Sequence, residues 1–411
     1  MTNSSLDTAL STLHSAAKLA GLDSKVVELL SQPKRTMEFV FPMRMDTGEV
    51  KIFNAYRVHW CDALGPFKDG TRFRKNLTLD ELKALALWMT IKHAVGGIPA
   101  GGGKGGVVVD PGELSRWELE RLSRSFMRHL PLKGAWTDVP GADIGTNAQI
   151  MAWMLDEYES ITGAHSPAAM NDKPASVSGT VGSSEATGRG VFYVLRKAVE
   201  DFGLPKDSRV AVQGFGTVGS HLSLLLQEQG FRVVAISDMY GGIYTKDGIN
   251  CAKLASHVAE TGSVKAFPGT EPIAHKDLLE LDVDVLVPAA IENAINEENA
   301  GSIRAKLIVE AANGPVTTDA EKVLQEKSIP VIPDVVANVG GAIVCHLERI
   351  QGLTDEYWDI DRVRRQLEAR ILKAYEETTL TAKEMNTSYR NAAWVNALRK
   401  IEVSVKTRGW V

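Results

Sequence analysis

Cysteine is scarce: three in 411 residues, at 61, 251 and 345, widely spaced and never in a CxxC pair. An odd, scattered set argues against a disulfide framework or a zinc site and fits a reducing cytosol. Basic charge is also in deficit. Forty-six lysines and arginines against 51 acids leave a formal net charge of −5, which excludes the field that holds nucleic acid or an anionic membrane. No run approaches the roughly 20 apolar residues that span a bilayer. The start, MTNSSLDTAL, lacks the basic cluster and apolar stretch of a secretory signal, so a cytoplasmic protein is expected. Internal repeats and low-complexity tracts are absent. At 44% hydrophobic and 24% charged the composition is that of a globular protein, and this length predicts two or three domains.

Glycine is not scarce. Five of the ten residues in IPAGGGKGGV (98–107) are glycine, and they surround Lys104. Glycine loses more backbone entropy on folding than any other residue, so such a run belongs where a backbone bends unusually or approaches something closely. A turn that presents Lys104 is expected. A flexible linker is the competing reading, and a position between an apolar helix and a VVVD strand weighs against it.

Leu6, Leu10, Leu13 and Ala17 recur at helical spacing. Strands follow over 37–60, broken by a turn at Asp46-Thr47-Gly48. Thr78 and Glu81 stand in capping-box spacing at the head of a helix. A buried strand at 106–110 and a helix at 115–130 come next, and the Gly/Ser-rich stretch 176–190 marks a domain junction. Beyond it, strand, helix and strand alternate, which predicts an α/β fold with a doubly wound parallel sheet. The charged, helical text of 347–411 is expected to pack back on the first domain. The predicted division is therefore 1–183 with 347–411, and 184–346.

GFGTVG places glycines at 214, 216 and 219 around Thr217 and Val218, after an apolar strand and at the head of a helix. Asp238 ends the next strand, nineteen residues after Gly219. This is the full context of a dinucleotide fingerprint: the glycines admit a pyrophosphate, the helix N-terminus supplies N–H groups, and the acid receives ribose hydroxyls. With no Lys or Arg between Asp238 and Lys246, NAD is expected in preference to NADP.

Three lysines sit near the glycine run. Lys68 lies in GPFKDGTRF, read as a loop where a lone lysine is solvated. Lys92 shares a helical stripe with Leu82, Leu85 and Met89, where it either snorkels or faces an anion in a cleft. Lys104 is unshielded by its neighbours. Asp143, in VPGADIGTN, precedes a helix start, where a carboxylate is a common cap.

Together these segments resemble the glutamate dehydrogenase family of amino-acid dehydrogenases. GPFKDGTRF, LALWMTIKHAVGGIPAGGGKGG, PGADIGTN, EATGRGV, GFGTVG, SDMYGGIY, VLVPAA, EAANGPVTTDA and VIPDVVANVGGAIV occur in the family's order. The resemblance implies NAD(P)-dependent deamination of an L-α-amino acid to a 2-oxo acid and ammonium, with glutamate the first expectation. It implies a substrate-binding and oligomerisation domain before a Rossmann domain, a hexamer, and no metal. Lys104 is similar to the lysine that polarises the 2-oxo group, and Asp143 to the proton carrier at the amino nitrogen. Lys92 is similar to the α-carboxylate lysine, beside Met89, and Lys68 to the lysine that holds glutamate's side-chain carboxylate. Thr187, Asn313 and Asn338 match positions near the nicotinamide. A crowd of ammoniums is expected to lower the Lys104 pKa. Four departures put the substrate in question: Asp69 stands where a glycine is usual, Ser183 where an arginine is often found, Cys345 where a serine contacts the side-chain carboxylate, and Ala100 for a tyrosine. The same reaction on another amino acid is the alternative, and a catalytically inactive binding homologue a more distant one.

Overall fold

The computed structural model describes residues 5–411, which divide into two units. One is the chain up to Ser183 with Ala342–Arg364 and Trp394–Val411. The other is Ser184–Gly341 with Arg365–Ala393.

The first unit opens with α1 (Ser5–Ala20) and α2 (Ser24–Leu30), followed by β1 (Arg35–Arg44) and β2 (Val50–His59). These strands form an antiparallel hairpin in which Arg44 faces Val50. Next come β3 (Phe67–Phe73), α3 (Leu79–Val95), β4 (Gly101–Val107), α4 (Arg116–His129), β5 (Asp138–Ala142) and α5 (Ala148–Thr162). The sheet order is β1-β2-β4-β3-β5. Strand alternation sorts the hairpin's side chains. Phe41, Met43, Phe53 and Ala55 join Phe73, Phe126 and Met151 in the core, while Val40, Val50 and Ile52 stay exposed. Helix α4 starts in a reciprocal capping box between Ser115 and Glu118. Thr78 caps α3 by accepting the Glu81 N–H at 3.3 Å, but the Glu81 carboxylate binds Arg72 and Arg74 instead of closing a box.

The glycine run is a strand and not a turn. Gly101–Gly106 lie in β4, at the centre of the sheet, and none has a positive φ. Their missing side chains serve close approach. A Cβ on Gly102 would lie 2.1 Å from the Ala86 carbonyl oxygen and 2.3 Å from Thr90 Oγ1, both on α3. A Cβ on Gly106 would lie 1.9 Å from the Arg72 carbonyl oxygen of β3. Helix α3 is seated on bare backbone, with α1 on another side, which is why it is buried over most of its girth.

The second unit runs α6 (Ala186–Asp201), β6 (Arg209–Gln213), α7 (Thr217–Glu228), β7 (Arg232–Asp238), β8 (Gly241–Tyr244), α8 (Cys251–Thr261), β9 (Glu271–Ile273) and α9 (His275–Leu279). It continues through β10 (Val285–Pro288), β11 (Leu307–Val309), α10 (Thr318–Glu326), β12 (Val331–Ile332) and α11 (Asp334–Ala337). The sheet order is β12-β11-β10-β6-β7-β8-β9, parallel from β12 to β7 and antiparallel at β8 and β9. The chain leaves β6 towards β7 and later returns to β10 on its other side, so the end of β6 is a topological switch point, where such sheets bind ligands.

Three helices close the chain: α12 (Gly340–Thr354), α13 (Ile360–Glu384) and α14 (Tyr389–Thr407). The expectation that 347–411 returns whole to the first unit is corrected, because the segment 365–393 belongs to the second. Buried ion pairs account for the split. Arg390 binds Glu310, Glu321 and Asp334 of the second unit. Helix α12 joins the first unit from Ala342, earlier than the 346/347 boundary expected, and there Glu348 pairs with Lys173, both side chains fully enclosed.

Candidate functional site

Lys68 is on β3 rather than in a solvated loop, and only 2% of it is exposed. Lys68 lies opposite Gly102 and Thr71 opposite Gly105, so Lys68, Gly70 and Arg72 share one face with Gly102, Lys104 and Gly106. On that face Lys104 Nζ is 3.0 Å from Asp143 Oδ2 and 4.0 Å from Asp69 Oδ2. Arg72 donates to the same Asp143 carboxylate, Nε to Oδ2 at 3.0 Å and Nη2 to Oδ1 at 3.2 Å. Gly70 makes room for this: a Cβ there would lie 2.7 Å from Asp143 Cβ and 2.8 Å from Lys104 Nζ. Asp143 caps no helix. The N-cap of α5 is Asn147, whose side chain accepts the Ile150 N–H.

The electrostatics reverse one expectation. Burial works to lower the Lys104 pKa, but Asp143 and Asp69 outweigh it and hold the ammonium above its ordinary value. Burial likewise opposes ionisation of Asp143, yet Lys104 and Arg72 bring its carboxyl down to about 2. The cluster alternates cations and carboxylates and is no crowd of ammoniums. Asp69 enters it through an unusual backbone. Its φ is +127°, and the β3–β4 ladder passes over Asp69 and Gly70. Their carbonyls accept instead from Arg57 Nη1 at 2.9 and 3.1 Å, and the Nε of this buried arginine donates to Asp138 at 2.7 Å.

Met89 and Lys92 are half-buried on α3, on the same stripe as Leu85. Ser183 is half-buried in the turn before α6. Cys345, on α12, donates its thiol hydrogen to Asp172 Oδ1 at 3.0 Å. Burial, with Asp172 beside it, pushes that thiol well above the usual range. Sequence reading missed Arg72 and Asp172. Arg72 was within reach, because a strand over 67–73 puts it on the Lys68 face; Asp172, in MNDKPAS, carries no motif.

In the second unit the fingerprint glycines have separate duties. Gly214 takes a φ of +106°, and a Cβ on Gly219 would lie 2.0 Å from the Gly214 carbonyl oxygen. Gly216 is the N-cap of α7, makes no side-chain cap, and has open space where its Cβ would be. The N–H groups of Thr217 and Val218 therefore begin a helix that no protein group caps, which fits a pyrophosphate. Asn338 Nδ2 donates to Asn313 Oδ1 at 3.0 Å, leaving its own Oδ1 buried without a partner. A Cβ on Gly341 would lie 2.8 Å from Thr187 Oγ1.

Asp238 accepts from the N–H groups of Tyr240, Gly241 and Val264 and from the Ser263 hydroxyl. Burial raises its pKa and these donors lower it further than that, so the carboxylate is ionised in place. A 2′-phosphate meets that charge. Lys265, distant in sequence, packs on Gly241, where a Cβ would lie 2.7 Å from its Cε. Asp238→Ser is thus expected to narrow the preference for NAD over NADP by about tenfold or more, since it removes a repelling charge and leaves a lysine at hand. Steady-state kcat/KM with both cofactors checks it; an unchanged ratio assigns the discrimination elsewhere.

Among the described residues no group of His, Cys, Asp and Glu is disposed to hold a metal ion, and no helix is long and apolar enough to cross a membrane.

Known proteins match both units. The family model for glutamate/leucine/phenylalanine/valine dehydrogenase matches residues 178–409, and that for the dimerisation domain of Glu/Leu/Phe/Val dehydrogenases matches 33–160. The chain is 45% identical to glutamate dehydrogenase of Thermotoga maritima, over 98% of this chain and 97% of that protein. It is 40% identical to the NAD-specific glutamate dehydrogenase of Clostridioides difficile, over 98% and 97%. The crystal structure of the hetero-hexameric glutamate dehydrogenase of Thermus thermophilus, in its leucine-bound form, superposes with a TM-score of 0.92 at 36% identity, covering 98% of this chain and 96% of that one. With matches over nearly its whole length, and a dinucleotide fold joined in one chain to a lysine–aspartate cluster, the protein belongs to the Glu/Leu/Phe/Val dehydrogenase family, amino-acid dehydrogenases that act on a CH–NH2 group with NAD(P).

Proposed function

We propose that the chain catalyses the reversible, NAD-dependent oxidative deamination of an L-α-amino acid, with glutamate the first substrate to test. The observation that carries this is the contact of Lys104 with Asp143 on the sheet face that also bears the buried Lys68. Lys92 anchors the α-carboxylate, and Lys68 holds the side-chain terminus. Held at the fingerprint glycines, NAD would supply the acceptor for the hydride of the α-carbon. Asp143 takes a proton from the amino nitrogen as the imine forms. Lys104, held as an ammonium, polarises that carbon and positions the water that adds to it; Asp143 returns its proton to the nitrogen, and ammonia leaves to give the 2-oxo acid. Gly214, Gly216, Thr217, Val218, Gly219 and Asp238 hold the adenosine and pyrophosphate end; Thr187, Asn313 and Asn338 hold the nicotinamide end. The matching relatives named NAD-specific glutamate dehydrogenases support the cofactor and the substrate class.

The chain acts as a homo-oligomer, a hexamer, in the cytoplasm, with neither nucleic acid nor membrane as partner. In support, β1 is an edge strand and Val40, Val50 and Ile52 lie bare on the β1–β2 hairpin. A panel of L-amino acids and 2-oxo acids with NAD(H) and NADP(H), followed by absorbance, tests the reaction. Glutamate-dependent NADH formation is expected, and no NADH with any amino acid overturns the proposal. Sedimentation of the same preparation tests the assembly.

A further inference from the structure

The backbone at Asp69 holds a conformation that belongs almost to glycine alone, with φ +127°. Such strain persists only where its surroundings enforce it, and it concentrates at functional sites. Here the enforcing groups are on the far face of the sheet. Arg57 Nη1 donates to the carbonyls of Asp69 and Gly70, and Arg57 is itself fixed by Asp138, Nε to Oδ2 at 2.7 Å and Nη2 to Oδ1 at 2.5 Å. Asp138 also meets His59 Nε2 at 2.8 Å, and His59 stacks on Phe67 with ring centroids 4.1 Å apart. Arg57, His59 and Asp138 are fully buried. Three strands thus combine to set the φ of one residue.

The result is the placement of a carboxylate. In regular pleating Asp69 would share the face of Phe67 and Thr71, away from Lys104. Instead its Oδ1 accepts the Gly70 N–H at 2.7 Å and its Oδ2 lies 4.0 Å from Lys104 Nζ. Lys104 already has a nearer carboxylate, Asp143 at 3.0 Å, but in the proposed reaction that group does not stay charged. While Asp143 holds the proton of the amino nitrogen, a buried ammonium has lost its nearest counter-charge. The other groups on the packed elements give no substitute. Lys68 and Arg72 on β3 and Lys92 on α3 are cations. Glu81 on α3 is bound to Arg72 and Arg74, and Asp138 on β5 to Arg57 and His59. His93 on α3 is neutral, because burial and the Lys68 ammonium bring its pKa down to about 3. Asp69 is the carboxylate that remains.

We propose that Asp69 is a positioning residue for Lys104, the standing counter-ion that keeps this side chain an ammonium through the half of the cycle in which Asp143 carries the substrate's proton. The proton leaves the amino nitrogen, rests on Asp143 and returns to nitrogen, and Lys104 keeps its own throughout. The proposal rests on the amino-acid dehydrogenase reading and on the roles given there to Lys104 and Asp143. The test is the pH dependence of kcat, at saturating amino acid and NAD, for the full-length protein, Asp69→Gly and Asp69→Asn. Glycine takes the φ without strain, and asparagine retains an oxygen for the Gly70 N–H. In both variants the alkaline limb of the profile is expected to move to lower pH by about one unit or more, because an opposite charge at this distance favours the protonated lysine and its removal does the reverse. A merely structural role lowers kcat by one factor at every pH. A limb within about 0.3 unit of the parent in either variant, or one moved to higher pH, overturns the proposal. Absence of NADH from every amino acid in the parent is a different result: it removes the dehydrogenase reading, and this proposal with it.

Discussion

Lys104→Ala and Asp143→Asn each yield a folded protein that binds NADH and turns over about 10²–10⁴-fold more slowly than the parent, the usual contribution of a positioned acid–base group. Folding survives because neither change strands a buried charge. Without Lys104, Asp143 keeps two hydrogen bonds from Arg72. Without the Asp143 charge, Lys104 keeps Asp69 at 4.0 Å. Binding of NADH survives because the fingerprint belongs to the other unit. The loss is expected on kcat, since the proposed roles put both groups at the reacting nitrogen and carbon. Fluorescence titration with NADH and kcat at saturating substrate check the two halves separately. A variant that retains more than about a tenth of the parent kcat lacks the role assigned to its residue.

The second large effect is on stability. Gly102→Ala and Gly106→Ala are expected to destabilise the first unit by about 3 kcal/mol or more, at or beyond the upper end of ordinary overpacking. Ordinary cores relieve an added methyl by turning a side chain. Here the methyl meets carbonyl oxygens of α3 and β3, at 2.1 and 1.9 Å, in the central strand. Relief requires the helix or a neighbouring strand to move, and Lys104 and Lys68 move with it. Gly301→Ala is the control, for nothing lies within 4 Å of its Cβ position and its φ is not positive. That control should stay within about 0.5 kcal/mol of the parent. Urea unfolding measures all three, and a Gly106→Ala protein as stable as the control refutes the seating of β3 against bare backbone.

The dinucleotide fold was readable from the chain because its signal is local: strand, glycine turn, helix and acid occur within 30 residues. The lysine cluster was not local. Asp143 alone looks like a helix cap, and only the fold brings Lys104 and Arg72 to it. The glycine run was misread because glycine serves both sharp turns and close packing, and composition does not separate them. Lys68 was misread for a related reason, since Gly65, Pro66 and Gly70 around it suggest a loop while the flanking phenylalanines belong to a strand. The tail's division between units depends on Arg390 and Glu348, charges that a sequence presents as solvent-facing and a fold encloses.

That division has a consequence for the growing chain on the ribosome. Residues up to Ser183 supply the first sheet, but Ala342–Arg364 and Trp394–Val411 are needed to finish the unit. At about 5–20 residues per second, the last of these segments follows Ser183 by on the order of ten to forty seconds. For most of that interval Lys173 has no Glu348 to neutralise it, and the Asp172 carboxylate has no Cys345 thiol. The second unit's β-α-β core is complete in sequence before either partner emerges. The strands of the later unit are therefore in hand first, with Arg365–Ala393 still to come, while the half that carries the lysines waits, partly bare, for Ala342–Arg364 and Trp394–Val411.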